Sequence, residues 1–447
     1  MSRILFVICE DYMKLLLLFT VTFGAMAQSG NEKLGDLLQD RALYDAVSRL
    51  KTDDRIAMYA SLSGSKPEDT HYQNQMAATY LQKMRETMDP DYLNRAAKIV
   101  DAVLSTDRVN YEALRLRSAI ELERHDFPRA AQNSRELVRM APEDPWNYGT
   151  LGDSLMELGE YSAAADAYQK MVQLRPDMAS YNRAAYYRFV AGDPNGAIEI
   201  MKMAIDSGSR SPENVAWCLV DLGNMEWKVG RTAEAGKAFE GALKLFPGYH
   251  PAHAGLGKLS AQAGKMDLAI EHYTKAEAAV PLPEYSAALE DLYEAAGKPE
   301  EARKQAARLA VIERMDQAAG FPANRNLALA YADHGRSLDH ALAMIREEMK
   351  TRRDIYEYDA LAWVLYQSRQ YAEARQATDK ALELHTPEPS FSYHAGMISL
   401  ALGDREGARK HLERALALNP NFDPRQAALA RAGLSKAKSD ESTEVTK

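Results

Sequence analysis

Apolar positions along most of this chain recur at helical spacing, in short runs that come in pairs. Residues 145–177, PWNYGTLGDSLMELGEYSAAADAYQKMVQLRPD, show the unit most clearly. Leu151, Leu155 and Leu158 share one face of a first predicted helix, and Ala164, Tyr168 and Met171 one face of a second. Gly159 falls where the first helix must stop, in a position that favours the left-handed conformation. Pro176 ends the second, because the residue before a proline avoids the helical region, and Pro142, Pro247, Pro281 and Pro420 hold the same place in their units. A glycine followed five residues later by an alanine marks each turn: Gly159/Ala164, Gly192/Ala197, Gly230/Ala235, Gly264/Ala269, Gly297/Ala302 and Gly403/Ala408. Gly335/Ala341 carries one inserted residue, while His125/Ala130 and Arg369/Ala374 keep the alanine without the glycine. Successive marks lie 33 to 38 residues apart, the period of a stacked helix–turn–helix repeat.

Alanines held in one phase over so many units imply a contact too close for anything larger. A first-helix slot seven residues before the glycine is small as well: Gly152, Gly223, Gly257 and Gly396, with Ala185, Ala328, Ala362 and Ser118. The pattern resembles the tetratricopeptide repeat family. Tyr148, Leu151, Gly152, Gly159, Tyr161, Ala164, Tyr168 and Pro176 carry the resemblance in the clearest unit, and matches continue through 216–249, 250–282 and 389–422. The resemblance implies an all-α, right-handed solenoid of antiparallel helix pairs, about nine to ten repeats long, whose first helices line a concave surface. Units are expected to start near 70, 111, 145, 178, 216, 250, 283, 321, 355 and 389, filling 70–422. Residues 28–69 read as an N-terminal helical cap, 423–438 as a C-terminal capping helix and 439–447 as a disordered tail. Glu290 occupies a small-residue slot, so the helices around 283–310 are expected to splay or shift. Two unit spacings of 38 residues put extra length near Ser207–Glu213 and Met315–Asn324, read as loop slack in preference to binding loops or bends in the solenoid.

Composition changes this picture little. The chain has 447 residues, 46% hydrophobic and 27% charged, ordinary for a folded protein. A net charge of -9 disfavours nucleic acid and anionic membrane surfaces as partners. The N-terminus reads as an export leader over 1–27: one lysine after Met13, a short apolar run from Leu15 to Phe23, then Ala25-Met26-Ala27. Met13 is a candidate true start. This run is too short to span a bilayer, and the mature protein is expected in the periplasm or outside a bacterial cell. Cys218 would remain as a lone thiol, read as a buried small hydrophobe.

No phosphate loop, zinc helix or nucleophile elbow occurs, and the repeats consume nearly the whole mature chain. The sequence therefore predicts no catalytic residues, no metal and no cofactor. His250 and His253, three apart, with His272 in the partner helix, lack a further ligand motif. Arg115, Asn182, Arg183, Asn224, Lys258 and Arg325 are scattered, so recognition of a terminal carboxylate is not supported. The repeat template puts all four tryptophans, Trp146, Trp217, Trp227 and Trp363, on inner helices, with Tyr186, Phe189, Tyr356, Tyr366 and Tyr393 in inward or nearby slots. Trp146 and Trp217 are the two that core packing explains least. The expected function is a non-enzymatic scaffold holding a peptide or partner helix in the concave groove. The alternatives are an envelope-assembly or polysaccharide-export subunit that contacts a glycan, and an enzyme with a site concealed near Met315–Asn324.

Overall fold

The computed structural model describes residues 50–208, 211–320 and 324–439. Among these the regular structure is helical throughout. After α1 (Thr52–Ser65) the helices pair in order: α2 (Thr70–Thr87) with α3 (Pro90–Thr106), α4 (Tyr111–Glu123) with α5 (Phe127–Met140), α6 (Pro145–Glu157) with α7 (Tyr161–Leu174), and α8 (Met178–Val190) with α9 (Pro194–Ser207). Next come α10 (Pro212–Lys228) with α11 (Thr232–Leu245), α12 (His250–Gln262) with α13 (Met266–Ala279), and α14 (Pro283–Ala295) with α15 (Pro299–Ala318). The last pairs are α16 (Arg325–Asp333) with α17 (Leu338–Glu348), α18 (Ile355–Gln367) with α19 (Tyr371–Ala381), and α20 (Pro389–Ala401) with α21 (Arg405–Leu418). A final helix, α22 (Pro424–Lys438), packs on α20 and α21. The chain is an all-α solenoid. The leader expected at 1–27, residues 28–49 of the expected N-terminal cap, and the tail beyond Ser439 lie outside the described residues. No helix among the described residues is long and apolar enough to cross a membrane.

Local chemistry fixes where the helices begin. Asp89, Asp144, Asp193 and Asp423 each precede a proline, and each side chain accepts a hydrogen bond from a first-turn backbone N–H. The aspartate satisfies a donor that the helix leaves free, and proline removes another. At the turns, His125 and Arg369 adopt φ of 58° and 60°, the same left-handed region as the glycines they replace. The small slots close the pairs: a Cβ added at Gly257 would lie 2.7 Å from the Tyr273 ring, and one at Gly223 2.5 Å from the Phe239 ring.

Two expectations need correction. Much of the extra length of the two long units enters helices rather than loops, although Gly208, Ser211, Ala319, Gly320 and Asn324 stay outside them. Pro212 starts α10 early, giving it 17 residues, and α15 continues through Met315 to Ala318, giving it 20. Pro212 supplies a preset first-turn φ, and Glu213 suits the positive end of the helix dipole. At Glu290 the pair stays together. The side chain is buried, and its carboxylate accepts two hydrogen bonds from Arg336 of the next unit, at 2.9 and 2.7 Å. A neighbouring guanidinium, rather than a splayed interface, accommodates the bulk and charge.

The solenoid coils back onto itself. The Arg353 N–H donates to the Glu157 carbonyl at 2.7 Å, and the Ile355 N–H to the Tyr161 hydroxyl at 2.8 Å. The Thr386 hydroxyl donates to the Val190 carbonyl at 2.5 Å, and the Asn419 side-chain amide to the Trp227 carbonyl at 2.8 Å. The last three pairs are separated by 194, 196 and 192 residues. With a period near 34 residues, that constant offset corresponds to between five and six units per superhelical turn, with successive turns in contact along a seam. An apolar cluster spans it: Leu155, Met156, Tyr161 and Val190 from one turn, Ile355 and Phe391 from the other.

Candidate functional site

The tryptophans all lie on first helices of pairs, α6, α10 and α18, but the seam and core claim most of the aromatic set. Trp363 is buried: its Nε1–H donates to Asp333 at 2.8 Å, and its ring stacks between Tyr366 and His394. Phe189 is buried in the cluster that joins α8, α9 and α10, and Tyr393 is buried beside Trp363. Tyr186 and Tyr356 are half-buried against the seam cluster, Tyr356 edge-on to Phe391. The half-buried Trp227 donates to Gln262 at 3.0 Å, and its own carbonyl receives Asn419. Sequence spacing identified their helices but could not show that a unit from the next superhelical turn covers them.

Trp146 and Trp217 are different. Trp217 lies just past the N-terminal extension of α10 and is 40% exposed. Trp146 is half-buried in the first turn of α6, with the Arg115 guanidinium 4.6 Å above its ring. Arg115 is held in turn by Asp144 at 3.4 Å. Beside Trp217, Glu213 is buried and gathers partners from α2 and from the next unit: Gln82 donates to it at 3.1 Å, the Tyr249 hydroxyl at 3.3 Å, and Arg85 sits 4.0 Å away. The end of α2 thus reaches the start of α10. At the opposite ends of the inner helices, Arg425 donates to the Asp333 carbonyl at 2.8 Å and pairs with Asp291, and Gln262 donates to Asn419 at 3.1 Å. Residues near both ends of the described array thus contact units several repeats away.

Several charged side chains of the inner helices are half-buried. Lys228 pairs with Glu388 at 2.6 Å and lies 5.5 Å from the Phe189 and Tyr356 rings. Burial pushes Asp221 up to about 7, although Lys228 opposes the shift. Lys258 sits 5.1 Å over the Trp227 ring, and burial together with Lys228 lowers its pKa. The scattered cations of the sequence are individually engaged: Arg183 with Asp153 at 2.7 Å, Arg325 with Asp354 at 3.3 Å, Arg115 as above. They do not converge on a common anion site.

Other chemistry resolves into structure. His253 and His272 approach at 3.2 Å through their Nδ1 atoms, and burial lowers both pKa values. His250 instead bonds the Tyr285 hydroxyl at 2.8 Å, and burial takes it down to about 4. Glu290, Glu294 and His334 come close enough to hold a cation. Arg336 already occupies both Glu290 oxygens, and His334 lies 3.2 Å from Asp291, so two of the three groups are engaged with other side chains. The Cys218 thiol is buried and pushed up to about 12, which leaves it the inert small hydrophobe of the sequence reading. A cavity of about 720 Å³ lies between α3, α4 and α5 and is bordered by Ala319 and Gly320. Its polar walls are paired among themselves, Arg117 with Asp101 at 2.8 Å and Asn133 with Glu121 at 2.7 Å. Of the segment Met315–Asn324 named for a concealed site, 315–318 are helix, Asn324 donates to Asp316 at 2.8 Å, and 321–323 lie outside the described residues.

Comparison with known proteins agrees with this architecture. Residues 150–212 and 220–282 match one tetratricopeptide repeat family model, and residues 389–422 match another. No curated protein sequence matches the chain. Among solved structures it is similar to the APC/C hetero-tetramer Cut9–Hcn1, at 16% identity, covering 89% of this chain and 69% of that one with a TM-score of 0.49. It is also similar to yeast Tom70, at 14% identity over 93% and 98% of the two chains with a TM-score of 0.37. A tetratricopeptide repeat protein from Parabacteroides merdae matches at 18% identity over 58% and 98%, with a TM-score of 0.33. With paired helices in one phase and repeat models matching within three stretches, residues 150–212, 220–282 and 389–422 of this chain are tetratricopeptide repeats.

Proposed function

We propose that this chain is a non-catalytic scaffold that holds an extended segment or helix of a protein partner. The grip lies on the concave side, at the rim where α6 and α10 begin. The observation that carries this reading is Trp217, the one exposed tryptophan among the described residues, 40% accessible on an inner helix. A ring of that size offers large contact area at little entropic cost, which is why tryptophan is enriched among binding anchors. Trp146 supports it from the matching position two units earlier, held under a guanidinium that is itself tied down. The leader-like N-terminus supports an exported protein, and the mass of the mature chain tests that part separately: an intact N-terminus rules it out.

Photo-crosslinkers placed at Trp217 and at Trp146 in the native cell are expected to capture the same partner, while one at Trp363 captures nothing. Trp146→Ala and Trp217→Ala should keep the melting temperature within about 2 °C of wild type, as surface changes do, and lose the capture. Undiminished capture by both alanine variants would reject the rim as the binding site.

A further inference from the structure

The seam between superhelical turns carries a cluster of charge that its neighbours cannot balance. From one turn come Glu157 at the end of α6 and Tyr161 at the start of α7, with His125 and Phe127 at the preceding α4–α5 turn and Tyr186 on α8. From the other come Arg325 on α16, Glu348 on α17, Arg352 and Asp354 in the connecting loop, and Tyr356 and Glu357 on α18. Arg352 lies 2.7 Å from Glu157, pairs with Glu348, and covers the Phe127 ring at 4.9 Å. Arg325 reaches Asp354 at 3.3 Å and Glu357 at 3.6 Å. Glu383 and Lys228 stand farther out, acting on Tyr161 and Tyr186 respectively. His125 is held neutral by burial and by both guanidiniums, down to about 4.

Two guanidiniums can balance two of the four carboxylates, Glu157, Glu348, Asp354 and Glu357. The Glu357 side chain is fully buried, and among the described residues neither of its oxygens has a hydrogen-bond partner. Burying two further negative charges there costs far more than holding two protons. We propose that this cluster is a proton-operated latch: protonated, it lets the second superhelical turn rest on the first, and its deprotonation drives the two turns apart. Desolvation points the same way, raising Glu157 to about 7 and Glu357 to about 9. A carboxyl whose folded pKa is raised stabilises the closed form at low pH and loses that contribution as pH climbs from the unfolded value through the folded one. The window for opening therefore runs from the unfolded carboxyl value, about pH 4.5, up through about 7 for Glu157 and about 9 for Glu357. Glu157 is the group that matters most, because it alone among the four belongs to the first turn. The latch rests on the seam itself and holds whether or not the concave face takes a partner.

Two backbone amides report directly on the seam, those of Arg353 and Ile355, which donate across it. Hydrogen-exchange protection of both, corrected for the intrinsic pH dependence, is expected to fall about tenfold or more between pH 4.5 and pH 9 while the radius of gyration rises. Glu157→Gln combined with Glu357→Gln should keep protection high at both pH values. Glu157→Gln alone, at the less buried site, should remove the lower-pH part of the change should the double variant fail to fold. Protection independent of pH in the wild type overturns the latch, and so does a Glu157→Gln protein that opens in step with wild type.

Discussion

Gly159 and Gly264 hold the same place in their units, with φ of 74° and 71°, yet their surroundings differ. A Cβ at Gly264 would meet nothing within 4 Å, whereas one at Gly159 would lie 2.7 Å from the Arg353 carbonyl oxygen across the seam. Gly264→Ala should therefore cost about 1 kcal/mol of left-handed strain, and Gly159→Ala at least about 1 kcal/mol more from the clash. Equal losses of Tm would mean that the turns do not touch there. Arg369, exposed at φ 60°, is the reverse case: relief of strain and the added freedom of glycine in the unfolded chain nearly cancel, so Arg369→Gly is neutral or mildly stabilising. Asp221, raised to about 7 by burial, weakens the fold as pH climbs from its unfolded value near 4 through 7. The advantage in Tm of Asp221→Asn over wild type should grow by a few degrees between pH 4 and pH 8, and a constant difference would contradict the burial argument.

At the scale of elements, helices absorbed what the sequence offered as loops. The extra first turn of α10 brings Glu213 to Gln82, so residues that looked like slack tie α10 to α2 beside the candidate site. The aspartate–proline pairs at 89–90, 144–145, 193–194 and 423–424 are a sequence signal that marks helix starts more sharply than the glycine–alanine spacing does. Glu290 shows how one unit tolerates a charge in a small slot by borrowing Arg336 from the next. Arg336→Ala leaves that buried carboxylate uncompensated and should cost about 3 kcal/mol, while adding Glu290→Ala should restore a large part. Denaturant unfolding of the two single variants and the double variant decides it; additive losses would mean that the pair is not coupled.

For the whole molecule, the seam changes how a repeat array should melt. A solenoid held only by neighbouring repeats frays from its ends. Here Asn419 is fully buried, donates to the Trp227 carbonyl and accepts from Gln262, tying the last repeat to units four and five earlier. Calorimetry of the wild type is expected to show one transition. Asn419→Ala strands buried polar groups on both sides, should cost about 1–3 kcal/mol, and should release the C-terminal units as a separate, earlier transition. A single sharp transition in that variant would argue against end-to-end closure.

The helix pairs, their turn glycines, their small contact slots and the family all lie in the sequence, because each depends on residues within one period of 33 to 38. The helical placement of all four tryptophans was legible for the same reason. Which aromatics remain open was not. The rotation from one unit to the next is small, and the contacts between Glu157 and Arg353, Val190 and Thr386, and Trp227 and Asn419 depend on that rotation accumulated over five units. No local pattern encodes the sum. Only the tertiary structure decided that Tyr186, Tyr356 and Trp227 lie along a seam, that Trp217 stays exposed, and that carboxylates distant in the chain meet with too few cations to balance them.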